Sequence, residues 1–321
     1  MKIVKFLFEH DKKPHRGLLP EEWVVVGYLV FTLLLMLFMS TRIVNPQAML
    51  SMRLQVAAII VAMWAVYRMV PCRFTRLLRA SAQVALLSLW YPDTYEFNRL
   101  LPNLDHVFAQ ADQQLFGYQP ALLFADAWSH PVFSELMHMG YASYFPLIAL
   151  VFLFYFIYRN QEFGRATFIM LTSFFVFYIV FLFLPVAGPQ FYYLAAGIDN
   201  IAHGVFPNVG DYFLNHQEML PTPGWSDGLF YQTVCQVHAA GERPTAAFPS
   251  SHVGITMVLL LLAWRTGNRK LLAVVAFFFT LMCFSTVYIQ AHYAVDALAG
   301  LVAGVVVYAA LSIIYNKVAK N

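Results

Sequence analysis

The sequence predicts an all-α, polytopic bundle of membrane helices, about eight in number. Three observations carry this. Of 321 residues, 60% are hydrophobic and only 12% are charged, about half the charge of an ordinary soluble domain. Eight apolar runs, most of them long enough to cross a bilayer, alternate with polar breaks containing Pro and Gly. The 30 Phe and 18 Tyr suit contact with lipid tails and with the bilayer interface. A net charge of +3, scattered along the chain, argues against a nucleic-acid partner. Cys72, Cys235 and Cys283 lie far apart, so neither a disulfide framework nor a cysteine zinc site is expected.

Residues 1–22 form a basic tail with Lys2, Lys5, Lys12, Lys13 and Arg16. No small-residue cleavage site follows an apolar stretch there, so no cleavable signal peptide is expected. Spans are predicted at 23–39 and 54–70. The run 77–90 is shorter and holds Ser81, Gln83 and Ser88; it reads as a short span or a re-entrant segment. Residues 91–131 turn polar and acidic, with one or two helices expected at the interface around 115–118 and 122–124. Spans at 133–158 and 166–184 follow. The second stops in Leu184-Pro185-Val186-Ala187-Gly188-Pro189-Gln190, where Pro and Gly end a helix. The stretch 191–247, with its aromatic, His, Pro and Gly residues, is expected to form an ordered cap. Spans at 250–264, 271–289 and 292–315 complete the chain. Residues 1–75 thus hold a tail and two spans, and residues 76–321 the remaining six.

Charge sets the expected orientation. With the tail in the cytoplasm, sixteen of the twenty Lys and Arg fall on the inside and four, Arg42, Arg53, Arg99 and Arg243, outside. That asymmetry follows the positive-inside rule. It puts Gln190, the 191–247 cap, the turn at 250–252 and the turn at His292 together on the non-cytoplasmic face.

That face carries the chemistry. Phe248-Pro249-Ser250-Ser251-His252 opens one apolar helix, and a helix start offers unpaired N–H groups to a phosphate. His292 and Asp296, four residues apart, share one face of the next helix mouth. The carboxylate can orient the imidazole and leave its other nitrogen free to attack. Each part also has a structural reading: Ser250 and Ser251 as N-caps, Asp296 as a favourable charge at a helix start, His252 as a hydrogen-bonded interfacial residue. Their combination on one face is more specific than any part.

Pro249-Ser250-Ser251-His252, together with Ser285, His292 and Asp296, resembles the second and third motifs of the type 2 phosphatidic acid phosphatase superfamily. Thr286 stands where that superfamily has Arg, and Gln236 where its first motif has Lys, while Arg243-Pro244 fits the end of that first motif. Ser285-Thr286-Val287-Tyr288 and His292-Tyr293-Ala294-Val295-Asp296 are similar to the inositolphosphorylceramide synthase branch. So are the 184–192 segment, Asp112 with Leu115-Phe116-Gly117, and Ser143-Tyr144-Phe145-Pro146. The resemblance covers roughly residues 76–315, and it implies that residues 76–321 are a six-helix catalytic membrane domain to which the first two spans are extra.

The resemblance implies His292 as nucleophile through a phosphohistidine, Asp296 as its activator, and His252 as acid and then base. Ser250 and Ser251 would stabilise the phosphoryl oxygens. Arg243 is a candidate phosphate ligand, or an ordinary solvated loop Arg, and Gln190 is a further candidate at the substrate site. No cofactor or metal is expected, and lipids are the expected substrates. The leading expectation is transfer of a phosphorylated head group, such as inositol phosphate, from a phospholipid to a lipid hydroxyl such as that of a ceramide. A lipid phosphate or polyprenyl diphosphate phosphatase is the alternative, and a non-catalytic scaffold or transporter a third reading.

Overall fold

The computed structural model describes residues 2–11 and 14–318; Lys12, Lys13 and Lys320, which enter the charge asymmetry, lie outside them. The described chain is helical throughout, with a single isolated β-bridge between His10 and Cys72. A short helix α1 (Lys2–Leu7) precedes α2 (Pro20–Phe38) and α3 (Pro46–Met69). Proline occupies the first turn of both long helices, where its missing N–H costs nothing. Next come α4 (Arg73–Ala85), α5 (Leu87–Asn98), α6 (Asp105–Phe116), α7 (Pro120–Ala127), α8 (Pro131–Ala142), α9 (Tyr144–Tyr158) and α10 (Phe163–Phe183). The cap contains α11 (Pro189–Ala196), α12 (Ile198–Ala202) and α13 (Leu229–Gly241). The chain ends in α14 (Ser251–Arg265), α15 (Arg269–Tyr288) and α16 (Ala294–Val318).

The eight apolar runs are not eight equal helices. Among the described residues, five helices are long and apolar enough to cross a membrane on their own: α2, α3, α10, α15 and α16. The run at 133–158 is the pair α8–α9, bent by 49°. Pro146, in the first turn of α9, has no N–H to give the preceding turn, which is a sufficient cause of the bend. The run at 250–264 is the shorter α14. The run at 77–90 straddles the break between α4 and α5.

The broken pair α4–α5 nevertheless runs the length of its neighbour α3. Near its start, Arg73 pairs with Glu9, Arg76 with Asp11 and the buried Arg79 with Glu22. Near its end, Asp93 accepts two hydrogen bonds from Arg53, in the first third of α3. Arg42, just before α3, donates to the carbonyl of Leu100. Helix α3 has 24 residues, about 36 Å at 1.5 Å per residue, so these two sets of contacts sit at opposite ends of the bundle.

Burial follows the pattern of apolar surface. The Phe-rich α10 is apolar on all sides, and its span is 78% buried, as a central helix must be. The spans of α3 and α16 are only 22% buried and present the rest of their apolar surface outward, as lipid contact requires. Val25, Tyr28, Val56 and Ile60 of α2 and α3 join the same core cluster as α9, α10 and α14. Helices α14 and α16 meet backbone to backbone. A Cβ on Gly300 would lie 2.4 Å from the carbonyl oxygen of Ser250, and one on Gly304 2.5 Å from that of Gly254. Small residues permit this approach in membrane bundles, and here it ties the starts of the two site helices together.

Candidate active site

The starts of α14 and α16, the 184–190 segment and the C-terminal end of α13 converge at one end of the bundle. Nδ1 of His252 lies 3.3 Å from Nε2 of His292. Nδ1 of His292 is 2.8 Å from the carbonyl oxygen of Ala247. A carbonyl only accepts, so Nδ1 of His292 carries a proton and its Nε2 lone pair faces His252. His292 lies between α15 and α16, its main-chain N–H donating to Thr286 at 3.0 Å. Burial pushes its imidazole down to about 4, so the ring is neutral near pH 7 and its Nε2 is available as a nucleophile.

The bend at Ser143 positions the second histidine. Tyr141, at the end of α8, stacks on His252 with ring centroids 4.7 Å apart, and Tyr144, at the start of α9, packs on it at 4.4 Å.

Two carboxylates of α6 hold the turns that carry the site. The Asp105 carboxylate accepts from the main-chain N–H of Ala187 at 2.6 Å, from that of Gly188 at 2.8 Å and from the Tyr293 hydroxyl at 3.0 Å. Burial raises its pKa, and these hydrogen bonds oppose that rise. Asp112 accepts from the N–H groups of Ala294 and Val295, both at 2.9 Å. Asp296 accepts from Tyr293 N–H at 2.9 Å, so the first turn of α16 is capped three times over by acidic oxygens. Ala246 (φ 68°) and Gln290 (φ 64°) flank the site in the left-handed region, a conformation non-glycine residues hold only when their surroundings impose it.

Beside the histidine pair is a cavity of about 20 Å³, lined among others by Tyr91, Gln190, His238, Glu242, Ser251 and Ala291. No Lys or Arg lines it. It has room for about one water-sized group, less than a phosphorylated head group needs.

A family model described as the PAP2 superfamily matches residues 106–310, more than half of the chain. The chain belongs to the PAP2 superfamily. No curated protein and no solved structure matches it. The PAP2 match runs from α6 to α16 and contains every histidine of the cavity. PAP2 membership makes this multi-pass membrane protein a candidate for lipid phosphatase or phosphotransferase chemistry.

Within this PAP2 site, the residues singled out in the sequence fare differently. His252 and His292 meet. Asp296 comes close, its Oδ2 3.7 Å from Nδ1 of His292. The hydrogen bond to that nitrogen, however, is made by the Ala247 carbonyl, and Asp296 chiefly caps α16, leaving its Oδ1 buried without a partner. Ser250 is fully buried and its hydroxyl caps α14 through Val253 N–H at 3.3 Å, while Ser251 faces the cavity. Gln190 lines the cavity, with its side-chain amide donating to the carbonyl of Leu220 at 2.7 Å. Arg243 is not among the lining residues; its guanidinium reaches only the carbonyl of Glu242, at 3.3 Å. Thr286 is buried and contributes its carbonyl to His292. Sequence reading missed Ala247, Asp105, Tyr141, His238 and Glu242. Only Asp105 left a signal, as an acidic residue opening an interfacial helix.

Proposed function

We propose that this PAP2 protein is a lipid phosphotransferase that moves a phosphorylated head group, with inositol phosphate the leading candidate, from a phospholipid to a lipid hydroxyl such as that of a ceramide. The observation that carries this reading is a histidine pair in a cavity lined by no Lys or Arg. A phosphodiester carries one negative charge at phosphorus and a phosphomonoester up to two, so a site without cations suits the diester. The substrate phosphate enters between the two rings and breaks their contact. Nε2 of His292 attacks phosphorus, the bond to the diacylglycerol oxygen breaks, and protonated His252 gives that oxygen its proton. The phosphohistidine ring is cationic. The Ala247 carbonyl and the nearby Asp296 carboxylate stabilise it, and the N–H groups at the start of α14 with Ser251 face the phosphoryl oxygens. The acceptor hydroxyl then attacks phosphorus, His252 takes its proton, and the N–P bond breaks.

Among the described residues, the site end of the bundle carries Arg42, Arg53, Arg99 and Arg243, and the other end the arginines at 73–79, 159, 165 and 265. By the positive-inside rule we place the site on the non-cytoplasmic face, within residues 76–321, with 1–75 as an accessory segment. The alternative, a lipid phosphate or polyprenyl diphosphate phosphatase, uses the same groups with water as acceptor. Purified protein supplied with head-group-labelled phosphatidylinositol and ceramide separates them. Label appearing in a ceramide product supports transfer; release of phosphate from phosphatidic acid without any such product overturns it.

A further inference from the structure

Two polar groups in the cavity have no part in the chemistry above. His238, in the last turn of α13, is 4% exposed, and its Nε2 is buried without a hydrogen-bond partner while Nδ1 meets the Thr222 hydroxyl at 3.3 Å. Glu242, just after α13, accepts from the Tyr91 hydroxyl at 2.6 Å. Both line the same cavity as His252 and His292. Tyr141 sits between the two halves. Its ring stacks on His252 at 4.7 Å and meets the His238 ring edge-on at 5.8 Å. His238 is thus one aromatic ring away from the reacting pair.

A buried imidazole nitrogen lacking a partner is costly and calls for a ligand group. A carboxyl lining the same cavity accepts from a hydroxyl and, when ionised, repels a second anion; burial raises the Glu242 pKa, and the Tyr91 hydrogen bond and the Arg243 charge oppose that rise. We propose that His238 and Glu242 form a subsite for a neutral hydroxyl group beside the transferred phosphate, and that Glu242 disfavours phosphomonoester dianions there. This deepens the transferase reading and rests on it. The hydroxyl belongs either to the donor's polyol head group or to the acceptor, and kinetics separates the two. Tyr91 keeps the carboxyl in place and links the subsite to α5.

The test uses the full chain in detergent micelles or vesicles, with phosphatidylinositol and phosphatidic acid as parallel donors. In Glu242→Gln, kcat/KM for head-group transfer from phosphatidylinositol, divided by that for phosphate release from phosphatidic acid, should fall about 10-fold or more, the loss of one hydrogen bond to a charged group. His238→Gln should lower the same ratio independently. A rise in KM for phosphatidylinositol assigns the hydroxyl to the donor, and a rise in KM for the ceramide assigns it to the acceptor. Equal scaling of both reactions in either variant overturns the subsite. Should the wild type move no head group, the transferase reading fails on its own. Glu242→Gln then still decides the charge argument, because faster phosphatidic acid hydrolysis upholds it and unchanged or slower hydrolysis overturns it.

Discussion

The Tyr293 hydroxyl donates to the Asp105 carboxylate at 3.0 Å, joining residues 188 positions apart. Through that carboxylate the residue after the candidate nucleophile is tied to the N–H groups of Ala187 and Gly188. Asp105→Asn puts an NH₂ group against a buried donor and leaves one of those donors unsatisfied, at about 1–3 kcal/mol. It should lower both thermal stability and kcat, the latter by roughly 10-fold or more. Tyr293→Phe should have a smaller effect, and the double variant should be less damaging than the sum of the two. Additive losses in a double-mutant cycle would show that the two groups act separately.

Asp112 is a cap supplied from outside its helix. Asp112→Ala removes the acceptor of Ala294 and Val295 N–H and should destabilise the protein by about 1–2 kcal/mol. Since α16 starts two residues after His292, turnover should fall further than the loss of folded protein explains. Activity measured per mole of folded enzyme checks this.

Gly188 has φ 98°, and a Cβ there would come within 2.6 Å of the Ala291 carbonyl oxygen. Gly188→Ala is strained in its backbone and pushes the residue adjoining His292. The expected outcome is a protein that still inserts and extracts as a monodisperse species but has lost roughly 10-fold or more of its activity. Wild-type turnover in this variant would mean that the turn adjusts freely.

The histidine pair predicts a split in phenotype. His292→Ala should abolish turnover and leave no acid-labile phosphoenzyme. His252→Ala should slow turnover by roughly 10² or more, with the remaining flux still passing through a phosphohistidine at position 292. Labelled donor, rapid quenching and mapping of the modified peptide give the readout. Label retained in His292→Ala would assign the nucleophile elsewhere.

Burial lowers the imidazoles of both His292 and His238 to about 4. The unfolded chain binds these protons near 6.5, so between the two values it holds protons that the folded protein lacks. The contribution of these two imidazoles to stability is therefore full above about pH 6.5 and falls as the pH drops toward 4, while buried carboxyls such as Asp105, raised by burial, contribute with the opposite sign. Thermal unfolding of wild type and His238→Gln across that window isolates the imidazole: the stability of the variant relative to wild type should rise as the pH falls from 6.5 toward 4.

Much of the fold was legible because it follows from local pattern. Runs of apolar residues and the Pro and Gly that end them mark α2, α3, α10, α15 and α16. The third run was ambiguous in sequence, since it is short and holds Ser81, Gln83 and Ser88. The structure buries Gln83 within the bundle, along with Arg79, whose partner Glu22 lies 57 residues away. Periodicity does not encode that pairing. The bend at Ser143 had a signal in the run 133–158, Pro146, but a proline in an apolar run fixes neither the angle of a bend nor the residue at which the helix breaks.

The candidate site was legible as residue types at helix mouths and illegible as contacts. The spacing of His292 and Asp296 suggested a bonded pair, yet the main-chain oxygen of Ala247 takes the imidazole proton, and a carbonyl has no signature in sequence. Arg243 stood out as the lone cation of the cap, and the fold turns its neighbour Glu242 into the cavity instead.

Composition and hydropathy alone determined that the chain is a membrane bundle and that the candidate site residues stand at helix starts, because transfer to lipid and helix termination depend on near neighbours. Tertiary structure alone decided which atoms meet. The proton on His292, the clamp of Asp105 and Asp112, and the set of side chains lining the cavity all arise from groups dozens to nearly two hundred residues apart, brought together by burial that no local window contains.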